Sequence, residues 1–219
     1  MAATIELERV PAQLQDWATL NDTGSGTPYL DTNQVDISSE VSCLLHINMC
    51  QDNTNAIATS AFCIVWGKSG ANDEDWHEIC RREYGTTACT EIDVSTGADS
   101  GDVSMACDAT NFDYAMIGQK VFVSEKGTAT NSFVATVIDW TDTVNEIWLL
   151  DGAASDITNT AHVDKIYCTT AAPFGAVAEW NIRVPEECYA AKVSFHNPDA
   201  DAVYLCRVRY SLITDYTSA

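Results

Sequence analysis

Apolar residues fall at every second position through VSCLLHINM. Cys43, Leu45, Ile47 and Met49 share one face, and Leu44, His46 and Asn48 the other, the period of two that marks a strand with one drier side. The segment AAKVSFHNPDADAVYLCRVRY repeats the pattern. Ala191, Val193 and Phe195 alternate with Lys192, Ser194 and His196, the turn HNPDAD follows, and Ala202, Tyr204, Cys206, Val208 and Tyr210 alternate with more polar positions. Two alternating runs around a turn predict a β-hairpin with a long tip. ATSAFCIVWGKSG carries a continuous apolar run ending at Gly67. The acidic turn ANDEDW and then HEICRREY come next, which together read as strand, loop tip and strand. TEIDVSTGADSGDVSMAC adds a short strand with a turn rich in Gly and Asp. DEDWHEICRREY is the best helical candidate, and strand plus loop fits it better, so no amphipathic helix is expected.

Two segments depart from this style. Residues 1–32 hold the strand-like TIELERV, Pro11 and a loop around GSGTP. They read as an extended N-terminal arm that pairs along the molecule or along a neighbouring copy. Residues 106–170 hold several short strands, among them IGQKVFVSE and the pair FVATVIDW and NEIWLLDG around the tip TDTVN. That is the size of a small barrel, which would close its own edges and bury Trp140 or Trp148 with Val and Ile side chains. Its place in the chain suggests an insertion in a loop, where insertions are best tolerated. The expected fold is therefore all-β: a jelly-roll-like β-sandwich from residues 33–105 and 171–219, an inserted small β-barrel at 106–170 and an arm at 1–32.

Composition narrows the class. A chain of 219 residues with 46% hydrophobic content has material for a packed core. Eleven basic against 32 acidic residues give a formal charge of -21, which repels nucleic acid and anionic membranes. No run approaches the roughly 18 apolar residues of a membrane span. The N-terminal MAATIELERVPAQLQDW lacks a basic start and a long apolar stretch, so synthesis in the cytoplasm is expected. The 9 cysteines include no CxxC pair. Zinc ribbons and redox motifs need that pairing, and reduced thiols buried as small hydrophobes are expected instead.

Candidate chemistry is sparse. GKSG at 67–70 resembles the end of a phosphate-binding loop, but Phe62 stands where that loop needs a glycine, and a turn between strands is expected. His46, His77, His162 and His196 are scattered without metal-ligand spacing. The acids of NDEDW, GADSGD and NPDADA lack the terminal glutamate of a calcium loop and read as turn residues. There is no GxSxG, and Ser25 lies in a polar loop without an evident base. No catalytic, metal or cofactor residue is therefore assigned. A glycan hydrolase would rest only on the abundance of carboxylates. Of Trp66, Trp76, Tyr84, Trp140, Trp148 and Trp180, most are expected to fill cores. Trp76, in its acidic turn, is the exception, and with Trp17 and Tyr29 it makes up the set of candidate partner contacts.

The order of segments carries a resemblance. A polar arm, VDISSEVSCLLHINM, AFCIVWGKSGANDEDWHEI, the inserted IGQKVFVSE and FVATVIDWTDTVNEIWLLDG, and a closing VPEECYAAKVSFHNPDADAVYLCRVRYSLI together resemble small virion structural proteins of tailed bacteriophages, of the capsid decoration type. The parallel covers most of residues 30–213. It implies a non-enzymatic subunit of the virion, made in the host cytoplasm, without cofactor, contacting the major capsid protein or other virion proteins. It also implies a homo-oligomer, with a trimer preferred and the arm reaching a neighbour. The alternative expectation is a host-receptor or carbohydrate-binding module of a phage tail or fibre, motivated by aromatic residues near loop tips.

Overall fold

The computed structural model describes residues 5–22, 28–52, 57–72, 75–85, 92–107, 117–118, 120–125, 128–141, 146–158, 161–168 and 176–217. Among them there is no α-helix, and the fold is an all-β sandwich. The strands in the first half are β1 (Ile5–Asn21), β2 (Tyr29–Asp31), β3 (Val35–Asp36), β4 (Ser42–Gln51), β5 (Phe62–Lys68), β6 (Trp76–Glu83), β7 (Ile92–Asp93) and β8 (Ser104–Ala106). Those in the second half are β9 (Lys120–Glu125), β10 (Thr128–Thr141), β11 (Glu146–Leu149), β12 (Ala161–Cys168), β13 (Ala176–Val184), β14 (Ala190–His196) and β15 (Val203–Thr217).

They form two sheets. The 10-stranded sheet runs β1-β15-β4-β13-β12-β9-β10-β11-β8, with β7 also on β12; the 5-stranded sheet runs β2-β14-β5-β6, with β3 also on β14. The main core lies between β1, β15, β4 and β13 of the first and β5 and β14 of the second. Leu45, Ile47, Met49, Cys63, Val65, Val193, Phe195, Tyr204 and Val208 are fully buried there. These are the inward positions of the alternating runs, and each large apolar side chain so buried contributes roughly 1.5–3 kcal/mol. The segment of DEDWHEICRREY from Trp76 to Glu83 is strand β6.

The N-terminal segment expected as an arm is, from Ile5 to Asn21, a strand paired antiparallel with β15 from Ile5↔Thr217 to Asn21↔Val203. Its Leu20 is fully buried in the main core. Register shifts at Gln13/Gln15 and Gln15/Ala18 bend it, and Pro11 offers no backbone donor. Bulges and proline both blunt a long edge strand against pairing with other chains.

The inserted strands close into a ring. β12 pairs with β9, β9 with β10, β10 with β11 and β11 with β8, all antiparallel. The last step is short: the bridge Val94↔Cys107, with Ser95 N–H donating to Ala106 O at 2.9 Å, joins the residues after β7 to β8, and β7 pairs with β12. Inside lie Met105, Val121, Val123, Phe133, Val137, Ile147, Leu149 and Val163. Trp148 does not fill this core. On β11, Ile147 and Leu149 take the inward positions and Trp148 between them is half-buried, because successive residues of a strand face opposite sides. The side chain of Trp140 lies outside the described residues.

Ring and sandwich share β12. Ala161 to Lys165 pair with β9, while on the opposite edge His162 and Val163 pair with β7 and Lys165 to Cys168 run parallel to β13. A third cluster fills the angle between the lobes: Cys50, Phe122, Val177 and Leu205 are buried, with Trp17 and Val134 packed on them. This explains why alternation fails late in β4, where Ile47 to Gln51 are buried without interruption. The main core covers one face of that stretch and the inter-lobe cluster the other.

Candidate interaction face on the small sheet

The 5-stranded sheet has a second face, turned away from the core, and no described segment covers it. On β14, Ala191, Val193 and Phe195 enter the core, so Lys192, Ser194 and His196 face outward by strand alternation. Cross-strand pairing places Tyr29 and Phe62 beside His196, Asp31 and Ile64 beside Ser194, and Trp66 beside Lys192. On β6 the register shift between Val65 and Trp66 lets both Trp76, opposite Lys68, and Arg81, opposite Ile64, reach this same face.

The side chains form two linked rows. His196 stacks on Phe62 with centroids 4.7 Å apart and planes at 13°. Tyr29 meets the same imidazole edge-on at 4.7 Å, and Arg81 places Cζ 3.5 Å from the Phe62 centroid. Arg81 Nε also pairs with Glu83 Oε1 at 3.4 Å. In the second row, Lys192 Nζ lies 5.1 Å and Lys68 Nζ 5.6 Å from the Trp76 ring centroid. Lys192 Nζ donates to Asp31 Oδ2 at 3.2 Å, Ser194 Oγ donates to Asp31 Oδ1, and Trp66 Nε1 donates to Ser194 Oγ at 2.8 Å.

Electrostatics fix the charge states. Burial pushes the Asp31 carboxyl up, but hydrogen bonds from Ser194, Tyr29 and Lys192 outweigh it and hold the group below the usual range. Burial and then the Asp31 hydrogen bond push the Tyr29 phenol up. Burial pushes His196 below its ordinary value, Asp31 opposes this by less, and repulsion from Arg81 adds to the lowering. The face carries Lys68, Arg81 and Lys192 together with the carboxylates Asp31, Glu78 and Glu83. Cations over aromatic rings are worth about 0.5–1 kcal/mol each where exposed.

Of the candidate contacts, Tyr29 and Trp76 are brought together on this face. Trp17 lies elsewhere, in the inter-lobe cluster against Phe122. Phe62 and Trp66 stand on β5, Arg81 on β6 and His196 on β14, and only the strand order of the sheet assembles them. Of the other aromatics, Trp180 and Tyr84 are buried.

The remaining chemistry-bearing residues are held in structural contacts. Gly67 and Lys68 of GKSG end β5, and Ser69 N–H donates to Asp75 O at 3.2 Å across the turn. Asp75 accepts from Asn72 N–H, Asp102 from Asp99 N–H and Asp156 from Ser100 N–H, so the turn acids serve backbone donors. His46 lies 2.6 Å from Asn181 Oδ1, and His77 Nε2 is 3.9 Å from Cys188 Sγ. No group of His, Cys, Asp and Glu among the described residues could hold a metal ion. Ser25 and the side chain of His162 lie outside them.

No family model and no curated protein matches the chain. Among solved structures it is similar to the VP2 subviral particle of infectious bursal disease virus, with 9% identity, a TM-score of 0.23 and 97% of this chain covered. The chain spans 42% of that VP2 chain. It is also similar to VP17, a capsid protein of bacteriophage P23-77, with 8% identity, a TM-score of 0.18, and 96% of this chain and 99% of that chain covered. Scores this low establish no common fold.

Proposed function

We propose that the chain is a non-enzymatic virion structural protein, a capsid decoration or stabilising subunit that acts through contacts with copies of itself and with the major capsid protein. The observation that carries this reading is the outward face of the 5-stranded sheet. It is rich in rings and intersperses Lys68, Arg81 and Lys192 with Asp31, Glu78 and Glu83, on a chain whose formal charge is -21. Aromatic and arginine side chains dominate the energetics of protein interfaces, and interspersed charges of both signs suit a self-complementary partner surface. The resemblance of the segment order to decoration-type proteins supplies the setting.

The ring geometry favours protein contact over sugar binding. Phe62 and Trp76 already hold cations over their faces, and a sugar would need those faces for stacking. Tyr29, 45% exposed beside the Asp31 carboxylate, is the observation that favours the second reading, a host-receptor or carbohydrate-binding module.

Light scattering over a range of concentrations, with co-sedimentation on capsids of the cognate particle, tests the first reading. A trimer that sediments with capsids, and loses either property on Arg81→Ala, is expected. A monomer that never associates with particles would overturn it. Binding to host surface polysaccharide that is lost on Tyr29→Ala would favour the second.

A further inference from the structure

A cleft of about 280 Å³ opens on the outer face of the large sheet, where the barrel meets the sandwich. Its cationic lining is Arg207 and Arg209 from β15 and Lys120 from β9, and Glu179 is the one carboxylate among its described lining residues. The two arginines stand on one strand face two positions apart, and Lys120 approaches from the other lobe. None of the three has an ion-pair partner within 4 Å among the described residues, in a chain with 32 acidic side chains to choose from.

Arg207 is 8% exposed. Its Nη2 donates to Asn48 Oδ1 at 2.9 Å and its Cζ lies 4.5 Å from the Trp17 centroid, while Nε is buried without a hydrogen-bond partner. A buried donor left unpaired costs about 1–3 kcal/mol, more when it is charged. Burial, then the neighbouring Arg209 charge, pushes the Arg207 guanidinium down to about 10, with Asp16 and Glu179 pulling the other way by less. The Arg207 charge thus has Asn48 and the Trp17 ring beside it and no carboxylate within 4 Å among the described residues.

We propose that this inter-lobe cleft is a binding site for a compact oxyanion, a phosphoryl or carboxylate group held by Arg207, Arg209 and Lys120. The guanidinium fork matches oxyanion geometry. A cleft of about 280 Å³ has room for a compact oxyanion beside these side chains. The long-range field of a -21 chain repels anions, so attraction must come from donors in direct contact. A bound anion would bridge strands of both lobes.

Calorimetric and thermal-shift titrations of the full chain, with inorganic phosphate and with succinate against chloride at matched ionic strength, test this. Saturable binding with a rise in Tm is expected from at least one of the two. A stronger phosphate response assigns a phosphoryl ligand, and a stronger succinate response a carboxylate. Arg209→Ala, an exposed change that spares packing, is expected to weaken binding about tenfold, the loss of one charge-assisted contact. Arg207→Lys keeps the charge, removes the fork and should weaken it similarly, and Glu179→Gln should tighten it. No saturable response up to on the order of 10 mM, a response equal to that of chloride, or binding indifferent to both arginine variants would overturn the proposal.

Discussion

Trp17 lies against Phe122 with ring centroids 4.3 Å apart and planes at 41°, so a residue of the first strand in the chain is seated on the inserted barrel. Trp17→Ala should lower unfolding free energy by about 2–4 kcal/mol, the range for large aromatic truncations with allowance for partial exposure. Its indole N–H is buried without a partner, so Trp17→Phe should cost less than about 1 kcal/mol. Urea denaturation of both variants checks this. A loss on Phe as large as that on Ala would show that the N–H matters.

Gly67 is required by a close approach. A Cβ there would stand 2.5 Å from Cys188 Sγ and 2.9 Å from Ile79 Cδ1. Gly67→Ala should destabilise by about 1–3 kcal/mol through overpacking. Adding Cys188→Ala should restore part of that, a non-additivity visible in a double-mutant cycle. The glycine of GKSG thus serves packing between β5 and the segment before β14.

Asp199 anchors the NPDADA turn. Its Oδ2 accepts from Ala58 N–H at 2.6 Å and Thr59 N–H at 3.0 Å, and its Oδ1 from Asp201 N–H at 3.0 Å and Ala202 N–H at 3.3 Å. Burial pushes the carboxyl up, but these backbone donors outweigh it and hold it below its ordinary value of 3.8. A depressed folded-state pKa contributes stability that is present above 3.8 and lost as pH falls through the lower folded value. Asp199→Ala should cost about 2–3 kcal/mol at pH 7. Asp199→Asn should flatten the part of the stability profile that falls as pH drops below 3.8. Thermal melts at neutral pH and through that fall read both.

Cys43, Cys63, Cys107 and Cys206 are buried free thiols. Burial pushes Cys43, Cys63 and Cys107 up to about 12 and Cys206 further. Because the thiolate is the nucleophile, these four should resist a disulfide reagent at pH 8 until the chain unfolds, with half-buried Cys80 the first described thiol to react. The raised values also set a sign at high pH: their stability contribution is intact below the ordinary value of 9.0 and is lost as pH rises towards the folded values. Mass-resolved labelling with and without urea checks the first point, and melts from pH 8 to about 11 the second.

The alternation of β4, β14 and β15 was legible because one face of each strand meets a single core, and a period of two records that. Cys50, Phe122 and Leu205 were not legible as contacts. They sit on faces that alternation would turn to solvent, and only the return of the barrel onto the large sheet buries them. The same limit hid most of the interaction face. His196 and Phe62 stack although they lie far apart in sequence, and the run AFCIVW reads as wholly apolar when half of it, Phe62, Ile64 and Trp66, faces outward. Tyr29 and Trp76 were legible by residue type and loop position. Trp17 was legible as a notable aromatic, but its destination depended on β1 pairing along β15, which the polar character of the segment conceals.

Because β12 serves two hydrogen-bond ladders, one continuous strand passes from barrel to sandwich at that joint. Drawing the barrel away from the sandwich would shear β12 lengthwise against β13 or tear it from β7 and β9. A load applied to either lobe is thus carried by backbone in shear, and the angle between the lobes is set as firmly as the register of a sheet.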